Sequence, residues 1–137
     1  MPIAVGGTNI TDIRVGSTVI NSVWVGGTQV WTRLSLNASP SSNVTYLNDL
    51  NTSNSAATAT ATVSTSPSTS VTFTFTQVSG ATASTGSTSG TTTSVSVSRP
   101  ASAGAGTTTS VVRVNAYIGG SFVTSKQITL NAMQDYI

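Results

Sequence analysis

The chain has 137 residues, enough for one ordinary domain or a small module joined to one. Charge is sparse, with five basic and three acidic residues and no Glu, His or Cys. The lack of His and Cys removes Ser-His-Asp and Cys-His catalysis, disulfide frameworks and thiolate metal sites.

From the N-terminus the first feature is a ten-residue repeat in three in-register copies, Ile3 to Asp12, Ile13 to Ser22 and Val23 to Trp31. The shared pattern is Ile/Val-x-Val-Gly-Gly/Ser-Thr-x-Ile/Val. Gly-Gly and Gly-Ser are two-residue hairpin turns whose first residue must reach positive φ. Thr11-Asp12 and Asn21-Ser22 are weaker turns at the opposite end. The pieces between turns, 3–5, 8–10, 13–15, 18–20, 23–25 and 28–30, predict six short strands in an up-and-down meander.

Flanking residues of a two-residue turn pair and share a face. One face therefore carries Ile3, Val5, Ile10, Ile13, Val15, Ile20, Val23, Val25 and Val30 with Thr8, Thr18 and Thr28. The other carries Ala4, Asn9, Arg14, Val19, Trp24 and Gln29. So small a sheet cannot bury its apolar face alone. Three outcomes fit: the face packs on the rest of the chain, it docks on a partner or sister copy, or the strands wind into a prism or short solenoid. The expected docking and oligomer surface is Ile3, Val5, Ile10, Ile13, Val15, Ile20, Val23, Val25 and Val30, with Trp24 as an interface anchor or sugar-stacking ring. Trp24 could equally cover Val19 and the domain junction. Trp31, at the end of the repeat, is expected to plug the hinge between modules.

From Arg33 the pattern changes. Leu34-Ser35-Leu36 alternates until Pro40 breaks it, and 46–57 reads as a loop. Strict alternation over 57–63 and 71–76 predicts strands, with Phe73 and Phe75 inward. The Gly/Ser/Thr-rich stretch 79–91 predicts a loop and 93–98 a strand. After a second loop at 101–106, strands are expected over 112–117 and about 122–131, joined at Gly119-Gly120. Val123, Ile128 and Leu130 face inward, with an irregularity near Lys126. About seven strands at this spacing suit a β-sandwich. The expected fold is thus all-β, a short N-terminal β-meander of decapeptide repeats (1–32) followed by an Ig-like β-sandwich (33–137). With 26 Thr and 23 Ser in the chain, Thr takes the solvent positions where Lys or Glu is commoner.

The basic residues Arg14, Arg33, Arg99, Arg113 and Lys126 form no cluster, so no nucleic-acid partner is expected. The three carboxylates, Asp12, Asp49 and Asp135, fall in a turn, a loop and the tail. No catalytic pair, metal site or cofactor is expected from them, and the Asn-rich surroundings of Asp49 read as a solvated loop. No apolar run approaches the roughly twenty residues of a membrane helix. The N-terminus lacks the basic and apolar regions of a secretory signal, so synthesis in a cytoplasm is expected.

The repeated Val-Gly-Gly/Ser-Thr blocks at 5–8, 15–18 and 25–28, closing in Val30-Trp31, resemble the N-termini of virion structural proteins of tailed bacteriophages. These are capsid decoration or cement proteins, head fibres and minor tail proteins. The Ser/Thr/Ala-rich remainder resembles, in general character, the Ig-like domains such phages display. The resemblance implies a non-enzymatic virion protein whose repeat module attaches to capsid or tail proteins, in several copies, while the Ig-like domain projects. The alternative is a tail-associated protein that binds a receptor or host-surface glycan through Trp24, Tyr46 or Tyr117. A cell-surface Ig-like module is the third.

Overall fold

A computed structural model describes residues 4–5, 8–41, 43–51 and 55–136, with side chains from Ile10 onward. The chain is almost wholly β, in two parts. The N-terminal part is not a continuous meander. It forms three separate two-stranded hairpins, β1 (Ala4–Val5) with β2 (Thr8–Asn9), β3 (Ile13–Val15) with β4 (Thr18–Ile20), and β5 (Ser22–Val25) with β6 (Thr28–Thr32). The second and third hairpin turns close as expected, with positive φ at Gly16, Gly26 and Gly27; Gly6-Gly7 lies outside the described residues. The pairings Val5 with Thr8, Ile13 with Ile20, Val15 with Thr18 and Val25 with Thr28 also follow the turn geometry. In the third hairpin a bulge sets Val23 opposite Trp31 rather than Val30. At Thr11-Asp12 and Asn21 no tight turn forms, and among the described residues neighbouring hairpins do not pair.

The second part is a β-sandwich. One sheet has the order β12 (Ser89–Gly90), β10 (Val71–Gly80), β14 (Gly106–Ile118), β15 (Ser121–Asp135), β8 (Asn43–Asp49). The other has the order β11 (Ser84–Thr85), β13 (Thr92–Arg99), β9 (Ala57–Ser66), β7 (Ser35–Ser39). The β7-β9-β13 and β10-β14-β15 triplets form the two layers of this sandwich. At Pro40 the chain leaves the second sheet, and β8 joins the first sheet parallel to the last strand. The two-residue β11 pairs in the second sheet before β12 returns the chain to the first.

The core follows from period-two alternation. Along β9, Ala57, Ala59, Ala61 and Val63 are buried while Thr58, Thr60 and Thr62 are exposed. Phe73, Val95, Val97, Val112, Val114, Ile128 and Leu130 fill the space between sheets. Each such side chain contributes roughly 1.5–3 kcal/mol by leaving water. Phe75 and Val123 pack at the margin of this core. Thr takes the outer face because its branched Cβ favours extended backbone without adding charge. Arg99 organises the loop after β13. Its guanidinium donates to the carbonyls of Ala103, Gly104 and Ala105 and to the Thr108 hydroxyl.

Three expectations within the sandwich are corrected. The stretch 79–91 is not all loop, since it holds the end of β10 and the short strands β11 and β12. The stretch 46–57 is not all loop, since Tyr46 to Asp49 belong to β8. Asn-rich and without alternation, β8 is held by the ladder of β15 instead of by its own pattern. The irregularity of β15 falls at Val123, not near Lys126, because Tyr117 pairs with Phe122 while Ala116 pairs with Thr124.

Candidate docking site

The sandwich core begins at Leu34, and none of the described repeat residues belongs to it. The apolar side chains of the repeats are divided instead between hairpin bases and hairpin tips. Ile10, Ile13, Ile20, Val23 and Val30, at the bases, are half-buried. Val15, Val25 and Trp24, toward the tips, are 69%, 64% and 60% exposed. Val19 is exposed beside them. Ile3 lies outside the described residues, as does the Val5 side chain.

What gathers the bases is a polar clasp at the end of the repeat. Trp31 is 2% exposed, and its Nε1–H donates to the Ile10 carbonyl at 2.9 Å. Arg33 donates through Nη2 to the Ile13 carbonyl at 3.1 Å and through Nε and Nη2 to the Ile20 carbonyl. Its own backbone N–H donates to the Asn21 carbonyl at 2.8 Å. The guanidinium also lies 5.6 Å from the centre of the Trp31 ring and 2.6 Å from Asp12 Oδ1. Trp31 and Arg33 thus tie the bases of the hairpins together through backbone carbonyls. Trp31 is buried but is not part of the sandwich core.

Asp12 is the acidic partner of the clasp. It accepts from Arg33 and, at 3.0 Å, from Arg14. These two interactions, Arg33 first, hold its carboxyl below the ordinary value of 3.8. A carboxyl whose pKa is lower folded than unfolded stabilises the fold fully above the unfolded value. That contribution is lost as pH falls through the folded value. Hydrogen-exchange protection of the β3–β4 hairpin should therefore stay level from neutral pH to about pH 5 and weaken below about pH 4. Asp12→Asn should lower protection at neutral pH and flatten the acid limb; an unchanged limb in that variant would contradict the assignment.

Trp24 stands free of the core. Its Nε1–H reaches Ser22 Oγ at 3.1 Å, and Gln29 is its cross-strand partner. Tyr46 is exposed on the edge strand β8, whereas Tyr117 is half-buried and packs edge-on against Phe122 at 5.8 Å. Trp24, Tyr46 and Tyr117 thus lie on separate elements. Asp49 Oδ1 accepts the Asn51 N–H at 2.7 Å, the local turn of an Asx-rich loop. Among the described residues no three metal-capable side chains cluster.

Sequence reasoning missed Asp12 and Arg33 as the clasp. No local pattern marks them, since Arg33 acts on carbonyls 13 and 20 residues away. Compared with known proteins, the chain matches no family model, no curated protein and no solved structure.

Proposed function

We propose that this chain is a non-enzymatic virion structural protein of a tailed phage, a capsid decoration, cement or fibre-like accessory subunit made in the host cytoplasm. The hairpin module attaches it to a capsid or tail protein, and the Ig-like sandwich is displayed outward. The observation that carries this reading is the division of labour in residues 10–33. The bases are locked by a buried Trp and a shared Arg, while Val15, Val25 and Trp24 are held out in water. Exposing large apolar groups on a braced support is what a recognition surface needs, because little ordering entropy remains to be lost on binding. The Thr-rich exterior of the sandwich supports the complementary role of a neutral, displayed domain.

Immunogold microscopy of particles, with antibody to residues 79–137, tests it. Label over heads places the protein as decoration or cement, and label confined to tails as a tail component. Unlabelled particles with free protein in the lysate reject the reading.

The exposure of Trp24 favours a second one, glycan binding at the tail through stacking on its indole. A glycan array with Trp24→Ala as control separates the two: specific signal lost in the variant supports glycan binding, and no signal in the parent protein rejects it.

A further inference from the structure

We propose that the tip of the β14–β15 hairpin is an additional docking tip, and that the capsid or tail protein that takes Trp24 and Val25 also takes Phe122. The inference rests on the docking reading above. Its starting point is the sequence around the second Gly-Gly turn. The order aromatic, aliphatic, Gly, Gly, Thr or Ser, any residue, Val runs from Trp24 to Val30 and again from Tyr117 to Val123. The one change of chemical class is Phe122 in the place of Gln29.

The two hairpins also fold alike, residue by residue. Gly26 and Gly27 lie at φ 56° and 82°, and Gly119 and Gly120 at 57° and 80°, the left-handed pair that a two-residue turn needs. Trp24 pairs with Gln29 and Tyr117 with Phe122, in each case two pairs back from the turn. Directly behind that pair, each second strand carries one extra residue, Val30 in one and Val123 in the other. The bulge is not a general feature of the short turns, since β3 and β4 pair without one. A bulge raises the local twist and re-aims the side chains beside it, so both tips present their flanking residues on the same scaffold.

What differs is which side chain is open. Trp24 and Val25 stand in water, whereas Tyr117 and Ile118 are half-buried. The exposed ring of the second tip is Phe122, 55% open and edge-on to Tyr117. The free apolar group has thus crossed the strand pair to the position that Gln29 fills in the module. An isolated exposed Phe is ordinary on a protein surface; this one stands on the scaffold that already displays Trp24 and Val25.

Topology brings this tip to the module's end of the sandwich. β7 starts at Ser35, opposite Ser66 at the end of β9. β10 starts at Val71, one short connection later, and its Thr72 lies opposite Tyr117. Leu34, through which the module joins the sandwich, and the Gly119-Gly120 turn therefore lie at one end. A partner that holds the module meets that end first. In the docking reading it already accepts aromatic and aliphatic groups from a Gly-Gly hairpin, and Tyr117 to Ser125 carry no charge to oppose the same footprint.

Photo-cross-linking on assembled particles tests the inference, with the photoreactive residue at position 122, 25 or 60 of the full chain. Positions 122 and 25 should join to the same capsid or tail protein, and position 60 to none. A link from 25 with none from 122 overturns the additional tip and leaves module docking intact. A link from 122 to a sister copy of the chain, or to a different particle protein, overturns it as well. Without a link from 25 the docking reading itself fails, and the inference with it. Phe122→Gln gives the tip the residue found at Gln29. In competition with the parent chain for sites on particles it should be about tenfold weaker, with an unchanged unfolding temperature. Equal competition overturns the inference.

Discussion

Replacing Val15 and Val25 together by Asp is expected to cut incorporation into particles by more than about a hundredfold, with little change in the unfolding temperature of the purified protein. Both side chains are largely in water in the free protein, so the folded state loses almost no packing. Against a partner the same positions are desolvated, and a carboxylate brought there without a counter-charge costs several kcal/mol. Val15→Thr/Val25→Thr is the matched control, since Thr18 and Thr28 already occupy the paired positions across each strand. Its incorporation should fall far less. Quantifying the protein in purified particles by mass spectrometry measures both. Wild-type incorporation of the Asp pair would remove the docking role from the tips.

The second large effect is expected at Arg33. An isolated two-stranded hairpin is marginal in water, so the module depends on what ties the hairpins together. Arg33→Ala deletes the donors to the Ile13 and Ile20 carbonyls, the ion pair with Asp12 and the contact with the Trp31 ring. Hydrogen bonds to a charged group contribute about 1.5–3 kcal/mol each, and some of that returns as water reaches the freed carbonyls, leaving about 2–4 kcal/mol. The β3–β6 amides should lose most of their exchange protection, while those of β13, β14 and β15 keep theirs. Lys at this position recovers only part of the effect, because one ammonium cannot reproduce the planar fork. Full protection of β3–β6 in the Ala variant would show that the clasp is dispensable. Incorporation should fall in parallel, although residue 33 is not at the tips.

The sandwich was legible in the chain wherever a strand buries one face and wets the other. Ala57 to Val63 and Val71 to Phe75 alternate strictly because Ala, Val and Phe point inward and Thr outward. β8 was not legible. Its burial is irregular, with Val44 buried but Tyr46 and Leu47 exposed, and its place is set by a parallel ladder to a strand more than eighty residues away. In the repeat, the turns and most pairings could be read because Gly-Gly and Gly-Ser fix register within four residues. The clasp at the hairpin bases could not, because Trp31 and Arg33 reach carbonyls 13 to 21 residues away. The apolar stripe of the candidate site was thus visible, but its division into locked bases and open tips was not.

In the proposed arrangement the hairpin tips touch the particle and the body of the sandwich does not. Site-specific photo-cross-linking on assembled particles tests it most directly, with the photoreactive residue placed at Val15 in one sample and at the exposed Thr60 of β9 in another. Docking through the tips predicts a cross-link from position 15 to one capsid or tail protein and none from position 60. Cross-links from position 60 with none from position 15 would contradict the account.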